Sequence, residues 1–114
     1  LLLLFTIGCQ PFSPQGAQPF DPPATFQGWW DEMQACSGRS GNLSRITWYV
    51  VPAGTLWFEG RLRSGLWQAP HTITVTDLIL ARLDRYSLTV KHEMLHDLVG
   101  REGHPLAFAT CGVD

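Results

Sequence analysis

The chain has 114 residues, a length that fits one domain with a modest core, and it carries five tryptophans and six phenylalanines to fill it. Its formal charge of −2 spreads no basic field over the surface, which excludes nucleic acid as an expected partner.

The first eight residues, LLLLFTIG, are apolar and run into Cys9. They are too short to span a bilayer, and no positive segment precedes them, so they read as the tail of a secretory signal. Gly8-Cys9 resembles a bacterial lipobox, in which the cysteine is lipidated. On that reading residues 1–9 are a signal remnant, and Cys9 anchors an exported lipoprotein on the periplasmic or cell-surface side of a bacterial membrane. An ordinary signal peptide, or a buried strand, is the alternative. With Cys9 set aside, Cys36 and Cys111 remain, and an oxidising compartment favours a disulfide between them. Two free thiols, or cysteines on a metal, are the other readings; they lack the close spacing of thiolate sites.

Residues 10–28 contain five prolines among Gln, Ser and Gly, a composition expected of a tether. The domain is then expected to cover residues 29–114. WWDEMQAC shows helical spacing, and SGRSGN ends it. LSRITWYVVPAG reads as a strand stopped by Pro52 and Gly54, TLWFEGRL as a second strand pairing with it, and LWQAPHTITVT as a third that alternates at Ile73 and Val75. DLILARLDRY reads as loop with some helix. From Leu88 the pattern is helical, with Ser87 as a candidate N-cap and Gly100 suited to the left-handed position past the C-terminus. Leu88, Leu95 and Val99 share the side of His92 and His96, so these histidines are expected to face inward. A short helix in PLAFAT comes next. The five tryptophans, at 29, 30, 48, 57 and 67, read mainly as core.

The helical segment VKHEMLHDLVGREGHP carries the chemistry. Positions i and i+4 lie on one helix face, so His92 and His96 present two imidazoles to one point, as a tetrahedral metal requires. Glu93, one position on, can reach a metal-bound water as general base without binding the metal. A catalytic zinc site keeps three protein ligands and leaves the fourth position to water. His104 is the preferred third ligand and Glu102 the alternative. Asp97 reads as a group orienting a ligand imidazole. Tyr86 and Arg101 are the nearby candidates for stabilising a carbonyl oxygen, and the strand HTITVT is a candidate to hold an extended peptide.

The stretch HEMLHDLVGREGHPLAFATC resembles the zincin-type (HExxH) metallopeptidases, in particular small, uncharacterised bacterial proteins of exported or lipoprotein type with a His-Pro pair after the motif. WWDEMQACSG, ITWYVVP and GLWQAPHTITV extend the likeness over residues 29–114. The resemblance implies an α+β fold, a minimal zincin-like domain with a small antiparallel or mixed sheet packed on an active-site helix. It further implies Zn2+ on His92, His96 and His104, Glu93 as catalytic base, and a peptide or protein as substrate. Metzincins place Gly three and His six residues after the second motif histidine, whereas Gly100 and His104 stand four and eight residues on. A minimal zincin is the closer description. A second class of function stays open: a non-catalytic zinc-binding or Trp-rich module that binds partners in the cell envelope.

Overall fold

A computed structural model describes residues 16–114, and Cys9 with the signal-like segment lies outside the described residues. The domain is α+β. Its strands are β1 (Gln18–Pro19), β2 (Thr47–Val51), β3 (Trp57–Phe58), β4 (Arg61–Leu62), β5 (Gly65–Gln68) and β6 (Thr72–Thr76). Its helices are α1 (Thr25–Ser37), α2 (Asp77–Ala81), α3 (Leu83–Val99) and α4 (Ala107–Thr110). Four strands form a mixed sheet in the order β1-β2-β6-β5. β2 and β6 are parallel, with Trp48 beside Ile73 and Val50 beside Val75, while β1 and β5 pair antiparallel at the two edges.

Strand alternation sends Trp48, Trp67, Ile73 and Val75 to one face, where they bury against Phe26, Trp30 and Met33 of α1 and Val90, Met94 and Leu95 of α3. This is the main core. A smaller cluster of Val51, Leu56 and Leu66 is built separately, with Phe58 against it.

Ordered structure begins before the expected boundary at Trp29. Gln18 and Pro19 pair with Val50 and Tyr49, and α1 starts at Thr25. The proline-rich composition hid two aromatic anchors: Phe20 and Phe26 lie 5.9 and 4.9 Å from Trp48, centroid to centroid. Burial of such rings outweighs the extended bias of the prolines. TLWFEGRL does not pair with β2. It folds on itself as the β3–β4 hairpin, turned at Glu59 and Gly60, which have φ of 52° and 75°. LWQAPHTITVT supplies two strands rather than one, β5 and β6, with Ala69-Pro70 at the turn between them.

The segment read as loop with some helix contains α2 and the first turn of α3. Helical structure therefore begins upstream of Leu88, and a kink at Tyr86 (φ −115°, ψ 25°) divides α3 just before Ser87. Gly100 takes the expected left-handed conformation at φ 74°, its N–H bonded to the His96 carbonyl at 2.8 Å. The short helix within PLAFAT is α4. Cys36 at the end of α1 and Cys111 after α4 form a disulfide, Cα–Cα 5.4 Å, which closes 75 positions of chain. Trp30, Trp48 and Trp67 are core residues, but Trp57 is 62 % exposed on the hairpin. Leu88, read as sharing the side of His92 and His96, is also exposed. Among the described residues no helix is long and apolar enough to cross a membrane.

Candidate metal centre

The site lies where α3, the edge strand β5 and the chain after α3 converge on a cleft of about 500 Å³. His92 and His96 stand one helical turn apart on α3, their rings 5.0 Å apart. Gly100 ends the helix, and the chain turns back through Gly103, at φ 84°, to bring in His104. The His104 ring lies 4.7 Å from His92 and 5.3 Å from His96. One ring nitrogen from each of the three histidines falls within 4.8 Å of the others.

Each ring is held from its other side. Nδ1 of His96 faces the Arg101 carbonyl at 3.0 Å, Nδ1 of His92 faces the Val113 carbonyl, and Nδ1 of His104 faces the Asp114 carboxylate at 3.0 Å. A carbonyl or carboxylate oxygen only accepts, so Nδ1 carries the proton and donates, which leaves the lone pair on Nε2. This is the arrangement in which outer groups orient metal-binding imidazoles and set their tautomer. Burial pushes His96 down to about 4, against the Arg101 bond that raises it and the neighbouring histidines that lower it further. Burial likewise lowers His92. Both are thus neutral near pH 7, the form that binds a metal. A zinc ion about 2.0–2.1 Å from tetrahedral nitrogens would space them about 3.4 Å apart, so the group fits once the nitrogens draw together by at most about 1.4 Å from their 4.8 Å limit.

Phe108 of α4 is the platform beneath the group. It is fully buried, and its ring centroid lies 5.0, 4.6 and 4.7 Å from those of His92, His96 and His104. Nothing in the sequence pattern singles it out beyond its place in a short apolar helix.

Glu93 is buried at the cleft wall facing β5, and burial raises its carboxyl to about 7, opposed by the Trp67 backbone N–H and by Arg63. Gly65 makes room for it: a Cβ at that position would lie 3.1 Å from Glu93 Cγ and 3.3 Å from Oε2. Glu102 also lines the cleft but stands outside the three-histidine group.

Several expected roles fall elsewhere. Asp97 does not bond a ligand imidazole. Its buried carboxylate takes Trp67 Nε1 at 3.0 Å and His71 Nδ1 at 2.9 Å on Oδ1, and Arg45 Nε at 2.7 Å on Oδ2. It acts on the site at one remove, because the Trp67 ring it holds stacks on His96 at 6.0 Å. Tyr86 packs against the core and Arg101 contributes its backbone carbonyl; neither lines the cleft, whereas Arg63 does. β6, the HTITVT strand, is enclosed between β2 and β5, so β5 is the edge that borders the cleft.

No protein-family model, no curated protein and no solved structure matches the chain. The class rests on what is built here: a small α+β domain with a four-stranded mixed sheet and three histidines grouped as they would be around a metal ion.

Proposed function

We propose that the chain is a zinc-dependent hydrolase, a peptidase that uses Glu93 as its general base. One observation carries the reading: three imidazoles, each with Nδ1 engaged, converge in a cleft beside a buried carboxyl. Zinc held by His92, His96 and His104 would leave a fourth position for water, bring the pKa of that water toward about 7 and polarise a carbonyl. Glu93, itself raised to about 7, is matched to take a proton near neutral pH and return it to the leaving amine. β5 supports an extended peptide along its free edge, since its other edge is already paired with β6. Gly65 keeps that wall open where it meets Glu93.

The competing reading, a non-catalytic zinc or Trp-rich envelope module, has less behind it. A structural zinc closes with a fourth protein ligand and needs no base. The Trp-rich surface is also thin, because Trp30, Trp48 and Trp67 are buried.

The Cys36–Cys111 disulfide points to an oxidising, extracytoplasmic compartment. Anchoring through lipid on Cys9, at the periplasmic or cell-surface side of a bacterial membrane, completes the proposal.

Glu93→Gln tests the reading. Zinc content and fold should be kept, while hydrolysis of a broad peptide library falls by about 10²–10⁴-fold, the usual worth of a general acid–base group. A wild-type protein with full zinc and no hydrolysis would reject the peptidase and favour the tethered module.

A further inference from the structure

Arg63 lies between the β3–β4 hairpin and β5, its N–H bonded to the Leu56 carbonyl at 2.7 Å. Its side chain enters the cleft that holds Glu93 and the three histidines. The guanidinium leans on the Phe58 ring, Cζ 5.7 Å from the centroid. Its Nε is buried, so the Nη groups are the donors a ligand could reach. Among the described residues, one carboxylate lies within ion-pair distance of it, Glu59 Oε1 at 3.8 Å from Nη2, and the Arg63 charge also acts on the buried Glu93. That distance is too long for a hydrogen bond. Glu59 is itself exposed, so the ion pair is open to water and leaves the Nη donors able to turn to a ligand carboxylate.

Guanidinium is suited to carboxylate, which it can take in two parallel hydrogen bonds. The lining is mixed: Arg61 adds a second cation, while Glu59 and Glu102 also line the cleft. Arg63 stands two positions before Gly65, the residue that touches Glu93, which is about 6–7 Å along an extended chain. A peptide laid along β5 would cover that span with about two residues.

We infer that Arg63 is the anion-recognising residue of this cleft, selecting peptides with a carboxylate one or two residues from the bond that is cut. The carboxylate is either a free C-terminus or an Asp or Glu side chain. The position of the bond rests on the peptidase reading; the recognition of a carboxylate rests on Arg63 and its surroundings.

The test uses the zinc-loaded chain carrying Glu93→Gln, so that peptides bind without turnover. Labelled peptides are compared as matched twins by fluorescence polarisation: C-terminal acid against amide, and internal Glu against Gln in an amidated peptide. At least one acidic twin should bind about ten- to a hundredfold more tightly than its neutral partner. The arm that shows it identifies the source of the carboxylate. Arg63→Gln should erase the preference, and Arg63→Lys should keep part of it. Equal binding of the twins in both arms, or no binding of any peptide, overturns the inference. So does a preference that survives Arg63→Gln, since the zinc or Arg61 would then be the attracting group. Failure of the peptidase reading shows separately, as a wild-type chain that cleaves nothing while the preference persists.

Discussion

His92 and His96 are held by the helix, His104 by the tail. The first two stand on α3, whose buried side packs on β5 and α1 and includes Val90, Met94 and Leu95 at zero exposure. Their separation is the helical repeat itself, set by backbone hydrogen bonds. His104 sits in an exposed turn with a 45 % exposed side chain, and its position depends on the C-terminal residues beyond it. Phe108 stacks under it, Asp114 holds its Nδ1, and the disulfide ties Cys111 back to α1. The tail also reaches the helix pair, through the Val113 carbonyl on His92. Local structure therefore sets two histidines of the group, and covalent and tertiary restraint sets the third.

Phe108→Ala attacks both sides at once and should have the largest effect on stability. Removing a fully buried phenylalanine costs about 3–5 kcal/mol, measurable by urea unfolding of the metal-free protein. The lost platform should also weaken zinc binding, whereas Phe108→Leu should do less on both counts. A near-neutral Phe108→Ala would show that α4 does not support the group.

Removal of the disulfide, by Cys36→Ser with Cys111→Ser, acts on the tail alone. A bridge spanning 75 positions is worth about 2–4 kcal/mol through restriction of the unfolded chain. The sharper readout is NMR of the ring protons, where His104 should broaden or shift more than His92 and His96. Equal perturbation of all three rings would erase the distinction between helix-held and tail-held histidines.

A smaller effect lies in the pH dependence of the metal-free protein. Glu93 holds its proton up to about 7 when folded against 4.5 for an ordinary carboxyl, so it binds more protons folded than unfolded in that window. Its contribution to stability therefore falls as pH rises from about 4.5 to about 7. His96 has the opposite sign: lowered from 6.5 to about 4, it takes up a proton more readily unfolded, and stability falls as pH drops through that range. The two slopes offset each other in the wild type. Glu93→Gln removes one of them, so its stability relative to wild type should grow by on the order of 1–3 kcal/mol between pH 4.5 and 7.5. Parallel stability curves for the two proteins would contradict the assignment of the proton to Glu93.

The same division decides what the sequence made legible. The i, i+4 spacing of His92 and His96 is a local signal, as is the glycine that ends α3, and both read directly from the chain. β6 was likewise legible from its alternation at Ile73 and Val75. Contacts between distant positions were not. Gly65 facing Glu93 and Phe108 beneath three histidines depend on how β5 and α4 dock, for which a single sequence carries no periodic mark. Asp97 was misread for a related reason. The motif suggested a ligand imidazole as its partner, but its carboxylate is turned to Arg45, Trp67 and the non-ligand His71, which come from other parts of the chain. At the N-terminal side, proline content hid β1 and the start of α1, because composition says nothing of the Phe20 and Phe26 contacts to Trp48.

Zinc content after dialysis, compared for wild type, His104→Ala and Glu102→Ala, tests most directly that the tail completes the metal group. One zinc per chain is expected in the wild type, with retention in Glu102→Ala and strong loss in His104→Ala, since three neutral imidazoles suit zinc and Glu102 stands outside the group. Retention in His104→Ala with loss in Glu102→Ala would contradict it and make the carboxylate the third ligand.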